Sequence, residues 1–472
     1  LRKGCPSNLM AVDERLVATI AKRIVEELYA VQKKDHPDNG IFVSVEAAVE
    51  AAEKAQKKFA LMDLEKREQI IRAIREATLN HARMLAEMAV AETGMGRVED
   101  KIMKNILASQ KTPGTEDLTT LAWTGDHGLT LVEMAPYGVI AAITPVTNPT
   151  ATIINNSISM LAAGNAVVFN PHPRAKACCS KTVEIIHEAI IKAGGPKGLV
   201  TTLAEPTIET AQQLMAHPQV RLIVATGGPG VVKAALSSGK KAIGAGAGNP
   251  PVVVDETADI VKAAHDIVCG ASFDNNLPCI AEKELIVVEC VAGQLLERMS
   301  REGAYILRGK DIDRLTEKIF PDGQQVNKDL IGQDATFILR QIGIEVGGDI
   351  RLIVLEVAPD HPLIWHEQLM PVLPVVRVPD VDSAIDLAVR AEGGNRHTAV
   401  MHSKHVDHMT MFARAVQTTI FVKNAPSYAG IGAGGEGFTT FTIAGPTGEG
   451  LTSARSFTRQ RRCVLVDAFR II

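Results

Sequence analysis

The stretch "AVVFNPHPRAKACCSKTVEIIHEAIIKAGG" (166–195) decides the fold class. Its first five residues form a short buried strand, too brief for a helix and bounded by proline. The remainder of the stretch reads as a helix closed by Gly194 and Gly195. Working outward, "LVTTLA" (199–204) is a strand, 208–216 a helix, and "VRLIVATGG" (220–228) a strand again. Strand alternating with helix implies a parallel sheet covered on both faces. "PVVVD" (251–255) adds a strand. A second α/β block runs over about 256–430 through "KELIVVE" (283–289), "RLIVLEV" (351–357), "PVLPVVRV" (371–378) and "TTIFVKN" (418–424).

Upstream, 44–110 is rich in Ala, Glu, Lys and Arg and reads as helical, while "GLTLVEMAPYGVIAAITP" (128–145) reads as strands. Residues 12–32 place Leu16, Ile20, Ile24 and Leu28 at i+4 spacing, an amphipathic helix that either lies on the core or docks a partner or shell. A polar linker occupies 33–40. The tail, 435–467, is rich in Gly, Thr and Ser and reads as an extended arm rather than core.

The 472 residues suffice for two or three domains. A net charge of −4 gives no reason to expect nucleic acid as partner. No apolar run reaches the roughly 18 residues needed to cross a bilayer, so no membrane is expected. Seven scattered cysteines without a CxxC pair, and no His-rich metal spacing, point to a reducing compartment and to no metal site.

Three stretches carry candidate chemistry. In "ATGGPGVVKAAL" (225–236) a strand meets small residues and then a helix. Thr226, Gly227 and Gly228 would let a diphosphate approach backbone N–H donors, although a tight turn without ligand reads equally well. In "AIGAGAGNPPVVVD" (242–255), which includes Gly246, either backbone or ligand passes close to the chain. In "GASFDNNLPCIAEK" (270–283), Cys279 is either a small buried hydrophobe or a nucleophile.

The ordered set "TPVTNPT" (144–150), "GNAVVFNPHPRA" (164–175), "ATGGPG" (225–230), "GAGNPPVVVD" (246–255), "NNLPC" (275–279) and "HEQLMPVLPVV" (366–376) resembles the aldehyde dehydrogenase superfamily, over about 42–467. "FDNNLPC", "NPHPRAK", "NRHTAVMHS" (395–403) and "GGEGFTTFTIAGPTGEG" (434–450) are similar to its CoA-acylating branch, in particular the propionaldehyde and acetaldehyde enzymes of propanediol and ethanolamine utilisation.

The resemblance implies an aldehyde dehydrogenase-like α/β fold. It has a Rossmann-like nucleotide-binding domain (41–121 and 138–243), an α/β catalytic domain (244–435) and an oligomerisation arm (122–137 and 436–472), behind an N-terminal helix and linker (1–40). It makes Cys279 the nucleophile and gives Asn148 an oxyanion-hole amide. Thr144, Pro145, Asn170, Pro171, His172, Pro173, Thr226, Gly227, Gly228, Gly246, Glu367 and Pro371 fall to cofactor binding, with Glu367 on the nicotinamide ribose. NAD and coenzyme A are the implied cofactor and co-substrate, and a short aliphatic aldehyde, propionaldehyde or acetaldehyde, the substrate.

A homodimer or homotetramer is implied, in the cytoplasm or inside a bacterial microcompartment, with a shell protein as a further partner. Where hydrolytic relatives carry a water-activating glutamate, this chain has Gly244 or Ala245, and Asn170 replaces their ribose-binding lysine. NAD and CoA would then alternate in one overlapping site. Leu369 stands where many relatives have an aromatic residue. His397 reads either as a structural histidine or as an aid to thiol deprotonation. Arg459, Arg461 and Arg462 read as surface or as contacts to CoA phosphates or a neighbouring subunit. The competing readings are a hydrolytic aldehyde dehydrogenase and a non-catalytic microcompartment cargo protein.

Overall fold

The computed structural model describes residues 39–472, so the amphipathic stretch 12–32 lies outside the described residues. Six strands form a wholly parallel sheet: β1 (Ile41–Phe42), β4 (Val139–Thr144), β5 (Ala166–Pro171), β6 (Val200–Leu203), β7 (Val220–Thr226) and β8 (Ala242–Ala245). Their order is β1-β6-β5-β4-β7-β8. Every residue of β4, β5 and β6 is buried, which is why those segments show no polar alternation. The helix expected after β5 starts at Lys176, because Pro173–Ala175 first make a 3-10 turn.

Seven more strands form a second parallel sheet: β9 (Pro251–Val254), β10 (Glu284–Val288), β11 (Ala304–Leu307), β12 (Leu352–Glu356), β13 (Val372–Val378), β14 (Thr398–His402) and β15 (Ile420–Lys423), ordered β11-β12-β13-β10-β9-β14-β15. A third sheet is antiparallel and lies at the surface. Its strands are β2 (Leu121–Gly125), β3 (Gly128–Pro136) and β18 (Thr458–Val466), with β3 in the middle.

The tail departs from the arm expected over 436–472. Its last strand, β18, is exposed, but Thr439, Thr440, Thr442, Ile443, Ala444, Ala454 and Phe457 are buried in the body, around the small pair β16 (Ile443–Ala444) and β17 (Gly450–Leu451). Threonine can be buried when its hydroxyl is bonded. Here Thr440 and Thr442 donate to Asn155 Oδ1 and Asn156 Oδ1 at 3.2 and 3.0 Å, on the wholly buried helix Pro149–Ala162. Composition alone made a core segment look like an arm.

The order of the first sheet positions a site. From β4 the chain proceeds through β5 to β6 on one side, while β7 and β8 lie on the other. The switch point therefore lies between β4 and β7, where open α/β sheets bind ligands beyond the carboxyl ends of their strands. The loops at 145–148 and 227–228 leave the sheet there.

Candidate active site

Cys279 sits between the helix Ile260–Ser272 and the start of β10. Three consecutive non-glycine residues ahead of it adopt left-handed backbone: Asp274 (φ 46°), Asn275 (φ 54°) and Asn276 (φ 62°). Such conformations are unfavourable for most side chains, least so for Asp and Asn, which bond locally. Each side chain is held by hydrogen bonds. Asp274 Oδ1 accepts the Arg97 N–H at 2.7 Å, and its Oδ2 accepts from the Lys101 ammonium at 2.9 Å and from the Lys104 ammonium at shorter range. Asn275 donates to Gly332 O and Asp334 Oδ1, both at 2.9 Å, and Asn276 to Ala271 O and Glu282 O, both at 2.8 Å. Beneath the turn, buried Lys283 donates to Asn276 O at 2.8 Å and to its Oδ1 at 2.6 Å. The polar elbow is a scaffold that presents the thiol.

Asn148 caps the helix Pro149–Ala162 at the switch point and is buried. Its Oδ1 accepts from Lys104 Nζ at 2.7 Å. Lys104 therefore joins Asn148, beyond β4, to Asp274, ahead of β10. Burial, aided by the neighbouring Lys101 charge, brings the Lys104 ammonium down to about 8, with Asp274 opposing. Burial pushes the Cys279 thiol up to about 12, and the Glu367 carboxylate adds to the rise; Lys283 and Lys104 oppose it. The residue as a whole is half-buried.

The "GAGAG" run resolves into close backbone packing. A methyl group on Gly248 would lie 2.6 Å from Cys279 O and 2.9 Å from His397 Cγ. Cys279 and His397 thus flank one glycine. His397 is buried; its Nδ1 pairs with Thr398 Oγ1 at 2.9 Å, while its Nε2 has no partner. Burial, then the Lys283 charge, brings this imidazole down to about 4, so it is neutral at physiological pH. Gly244 and Ala245 lie buried in β8 and carry no carboxylate. Glu367 Oε1 accepts the Gly248 N–H at 3.4 Å, and burial raises its carboxyl above the ordinary range.

The residues expected to bind cofactor divide. Thr144 ends β4, Pro145 beyond it is half-buried, and the Thr144 carbonyl accepts the N–H of exposed His172 at 3.1 Å. Pro173 beside it is exposed. Thr226 ends β7, Gly227 donates to Ala245 O at 3.0 Å, and Gly246 comes directly after β8. All of these line the carboxyl edge of the first sheet. At Gly228 and Gly230 an added methyl would meet nothing within 4 Å. Open space thus lies over the first turn of the helix Pro229–Leu236, which has no side-chain cap.

Asn170 and Pro371 are engaged in hydrogen bonds within the fold. Asn170 Oδ1 accepts from Thr210 Oγ1 at 2.7 Å and its Nδ2 donates to Thr207 O at 3.4 Å, so its buried amide holds the start of the helix Ile208–Ala216. Pro171 is buried at the end of β5. Pro371 is buried ahead of β13, its carbonyl accepting Ile353 N–H at 2.9 Å.

Sequence reasoning missed Lys101, Lys104, Asp274 and Lys283. A signal existed for the first two. On the helix Val98–Lys111 the buried face holds Lys101, Lys104, Asn105 and Ala108, so cations occupy helical positions that should be apolar.

Comparison with known proteins agrees with this geometry. The model of the aldehyde dehydrogenase family matches residues 41–437, and the chain belongs to that family. A CoA-propanoylating propanal dehydrogenase of Citrobacter freundii is 53% identical over 454 residues, covering 96% of this chain and 98% of the relative. The crystal structure of Rhodopseudomonas palustris propionaldehyde dehydrogenase, with bound CoA and an acylated cysteine, superposes with a TM-score of 0.91 at 54% identity, covering 92% of this chain and 100% of that one. The propionaldehyde dehydrogenase of the Clostridium phytofermentans fucose utilisation microcompartment superposes at 0.90 with 53% identity, again over 92% and 100%. Alanine mutants of that enzyme at a cysteine and at a histidine have also been solved.

Among the described residues no helix is long and apolar enough to cross a membrane.

Proposed function

We propose that the chain is a CoA-acylating aldehyde dehydrogenase, converting a short aliphatic aldehyde, CoA and NAD⁺ into acyl-CoA and NADH. The observation that carries this reading is that Cys279 and a neutral His397 imidazole, its Nε2 without a partner, flank Gly248. The two residues are 118 positions apart, as are the mutated cysteine and histidine of the C. phytofermentans enzyme (269 to 387 there, 279 to 397 here).

The Cys279 thiol gives up its proton to solvent as its sulfur adds to the aldehyde carbon, and the carbonyl oxygen gains negative charge, which the Asn148 amide and the Cys279 N–H stabilise. NAD, when bound, accepts the hydride, the redox chemistry that side chains cannot supply. The residues that would hold it are Thr226, Gly227 and Gly228, the open first turn beyond them, and Glu367 beside Cys279. The resulting Cys279 thioester meets no general base at Gly244 or Ala245, which disfavours hydrolysis by the roughly 10²–10⁴-fold that base assistance contributes. His397 Nε2 takes the proton of the CoA thiol. The CoA sulfur bonds to the acyl carbon, the bond to Cys279 breaks, and the released thiolate regains a proton.

Product analysis tests the reading. Purified protein should form NADH from propanal beyond a single burst of about one per active site only as CoA is consumed, and Cys279→Ala should form none. Acid released without CoA would replace this reading by the hydrolytic one. A series from acetaldehyde to pentanal assigns the chain length. For assembly, the exposed sheet of β2, β3 and β18, with Trp123, Val464 and Leu465 uncovered, is the surface through which copies would join, and sedimentation with and without 458–472 tests it. Deleting residues 1–35 and measuring shell co-purification tests encapsulation.

A further inference from the structure

Resting on the reading of Cys279 as nucleophile and Asn148 as oxyanion donor, we infer that Lys104 is the positioning residue of the oxyanion site: it fixes which way the Asn148 amide faces and ties that amide to the turn that carries Cys279. An ammonium has only donors, so the group it meets must be the amide oxygen. Lys104 Nζ lies 2.7 Å from Asn148 Oδ1, which turns the NH₂ group away from Lys104. One of its two N–H bonds reaches Thr147 Oγ1 at 3.3 Å and the other is left for substrate. An amide free to rotate would present donor and acceptor alternately to the same point, and an acceptor facing an oxyanion repels it.

The other side of Lys104 holds the nucleophile turn. Its ammonium bonds Asp274 Oδ2, an oxygen it shares with Lys101, and Lys101 Nζ also donates to Thr147 O at 3.2 Å. Asp100 Oδ2 accepts the Asp274 N–H at 2.9 Å. The loop after β4 and the loop before β10 belong to different sheets, and two buried lysines on one helix join both to one carboxylate. The groups facing Lys104 are Asp274, Lys101 and Asp100, with Asn148 opposite and Cys279 within its field. Burial leaves the ammonium at about 8. Raising the pH through that value removes its charge and gives it a lone pair, so it no longer dictates which way the amide faces.

The test is the burst of NADH formed from propanal without CoA, which reads acyl-enzyme formation alone, in wild type, Lys104→Met, Asn148→Ala, the double variant and Lys104→Arg. Removing one oxyanion donor costs about 10²–10³-fold. Asn148→Ala and Lys104→Met should each slow the burst by about that factor with the aldehyde KM little changed. Adding Lys104→Met to Asn148→Ala should slow it by less than about 3-fold more, because residues acting as a unit are not additive. Lys104→Arg, charged at all working pH, should keep most of the burst and go on rising with the thiolate above pH 8, where the wild-type rate levels off. Additive losses, or a Lys104→Met burst equal to wild type, overturn the inference while the Cys279 reading stands. A full-rate Asn148→Ala overturns both the oxyanion reading and the inference. If Lys104→Met does not fold, the Lys104→Arg pH profile decides: an unchanged levelling above pH 8 refutes the inference.

Discussion

Replacing Gly248 by Ala should disable the enzyme with little change in backbone conformation. Gly248 is not in the left-handed region, so alanine adopts its backbone freely, and the cost is steric. Ordinary contact begins at 3.4 Å; the new methyl falls 0.8 Å short of it at Cys279 O and 0.5 Å short at His397 Cγ. Neither neighbour is the free end of a flexible chain. One is the backbone of the nucleophile, anchored by the elbow, and the other is a buried ring. The overlap therefore displaces Cys279, His397 or both by several tenths of an ångström. Misplacement by about 1 Å costs on the order of 10²-fold in rate, or about 2.7 kcal/mol at 1.36 kcal/mol per tenfold. Overpacking of this kind also lowers stability by about 1–3 kcal/mol. Steady-state NADH formation with propanal and CoA, together with thermal unfolding, measures both. Gly293→Ala is the control: on the helix Glu289–Arg301 its methyl meets nothing within 4 Å, so kcat/KM should hold. A Gly248→Ala protein with wild-type kcat/KM and Tm would show that Cys279 and His397 are not coupled through this glycine.

Three further outcomes rest on buried groups. With the Cys279 thiol near 12, alkylation by iodoacetamide in the absence of ligands should rise about tenfold per pH unit from 6 to 10 without a plateau, measured against Cys279→Ala; a plateau below pH 9 contradicts the buried, carboxylate-flanked thiol. Burial raises the Glu282 carboxyl to about 7 from 4.5. Its stabilising contribution is full below about pH 4.5, declines to about pH 7 and is flat above, so Glu282→Gln should gain up to about 3 kcal/mol relative to wild type between pH 5 and 8. Equal pH dependence in the two proteins, by denaturant unfolding, refutes this. Asn170→Ala should lower Tm by loosening the helix Ile208–Ala216 while moving the KM for NAD by less than about 2-fold, consistent with the sub-kcal/mol effects of changes that leave a ligand's contacts intact. A large KM change would return Asn170 to the nucleotide wall.

Much of the fold was legible because it is written locally. β4, β5, β6, β9 and β10 are short runs buried along their whole length, and Gly194 ends its helix at φ +80° as a glycine stop should. Cys279 was legible as a candidate from the polar residues ahead of it, but the function of those residues was not. Asp274 is bonded to Lys101 and Lys104, about 170 positions away, and no local pattern announces that distance. The tail at 439–457 misled for a related reason. Threonine-rich sequence looks solvated until Asn155 and Asn156, from a distant helix, supply partners for its hydroxyls.

The buried ionic cluster is informative because stability does not account for it. Lys101, Lys104 and Asp274 are almost fully buried. The desolvation of such groups is rarely outweighed by their mutual attraction, and apolar residues of similar volume often fold as well or better. What apolar residues cannot do is dictate the facing of an amide or hold three left-handed residues in sequence. At Asp274 one carboxylate closes the turn through the Arg97 N–H and meets two ammonium groups, and one of these meets Asn148. The cluster lies where the carboxyl edge of one sheet faces the amino edge of the other, and each sheet presents one half of a reaction centre there. A hydrophobic join would permit sliding between the halves, whereas directional bonds to one oxygen do not. The position of the charges, at this seam rather than within either core, marks them as a device of register.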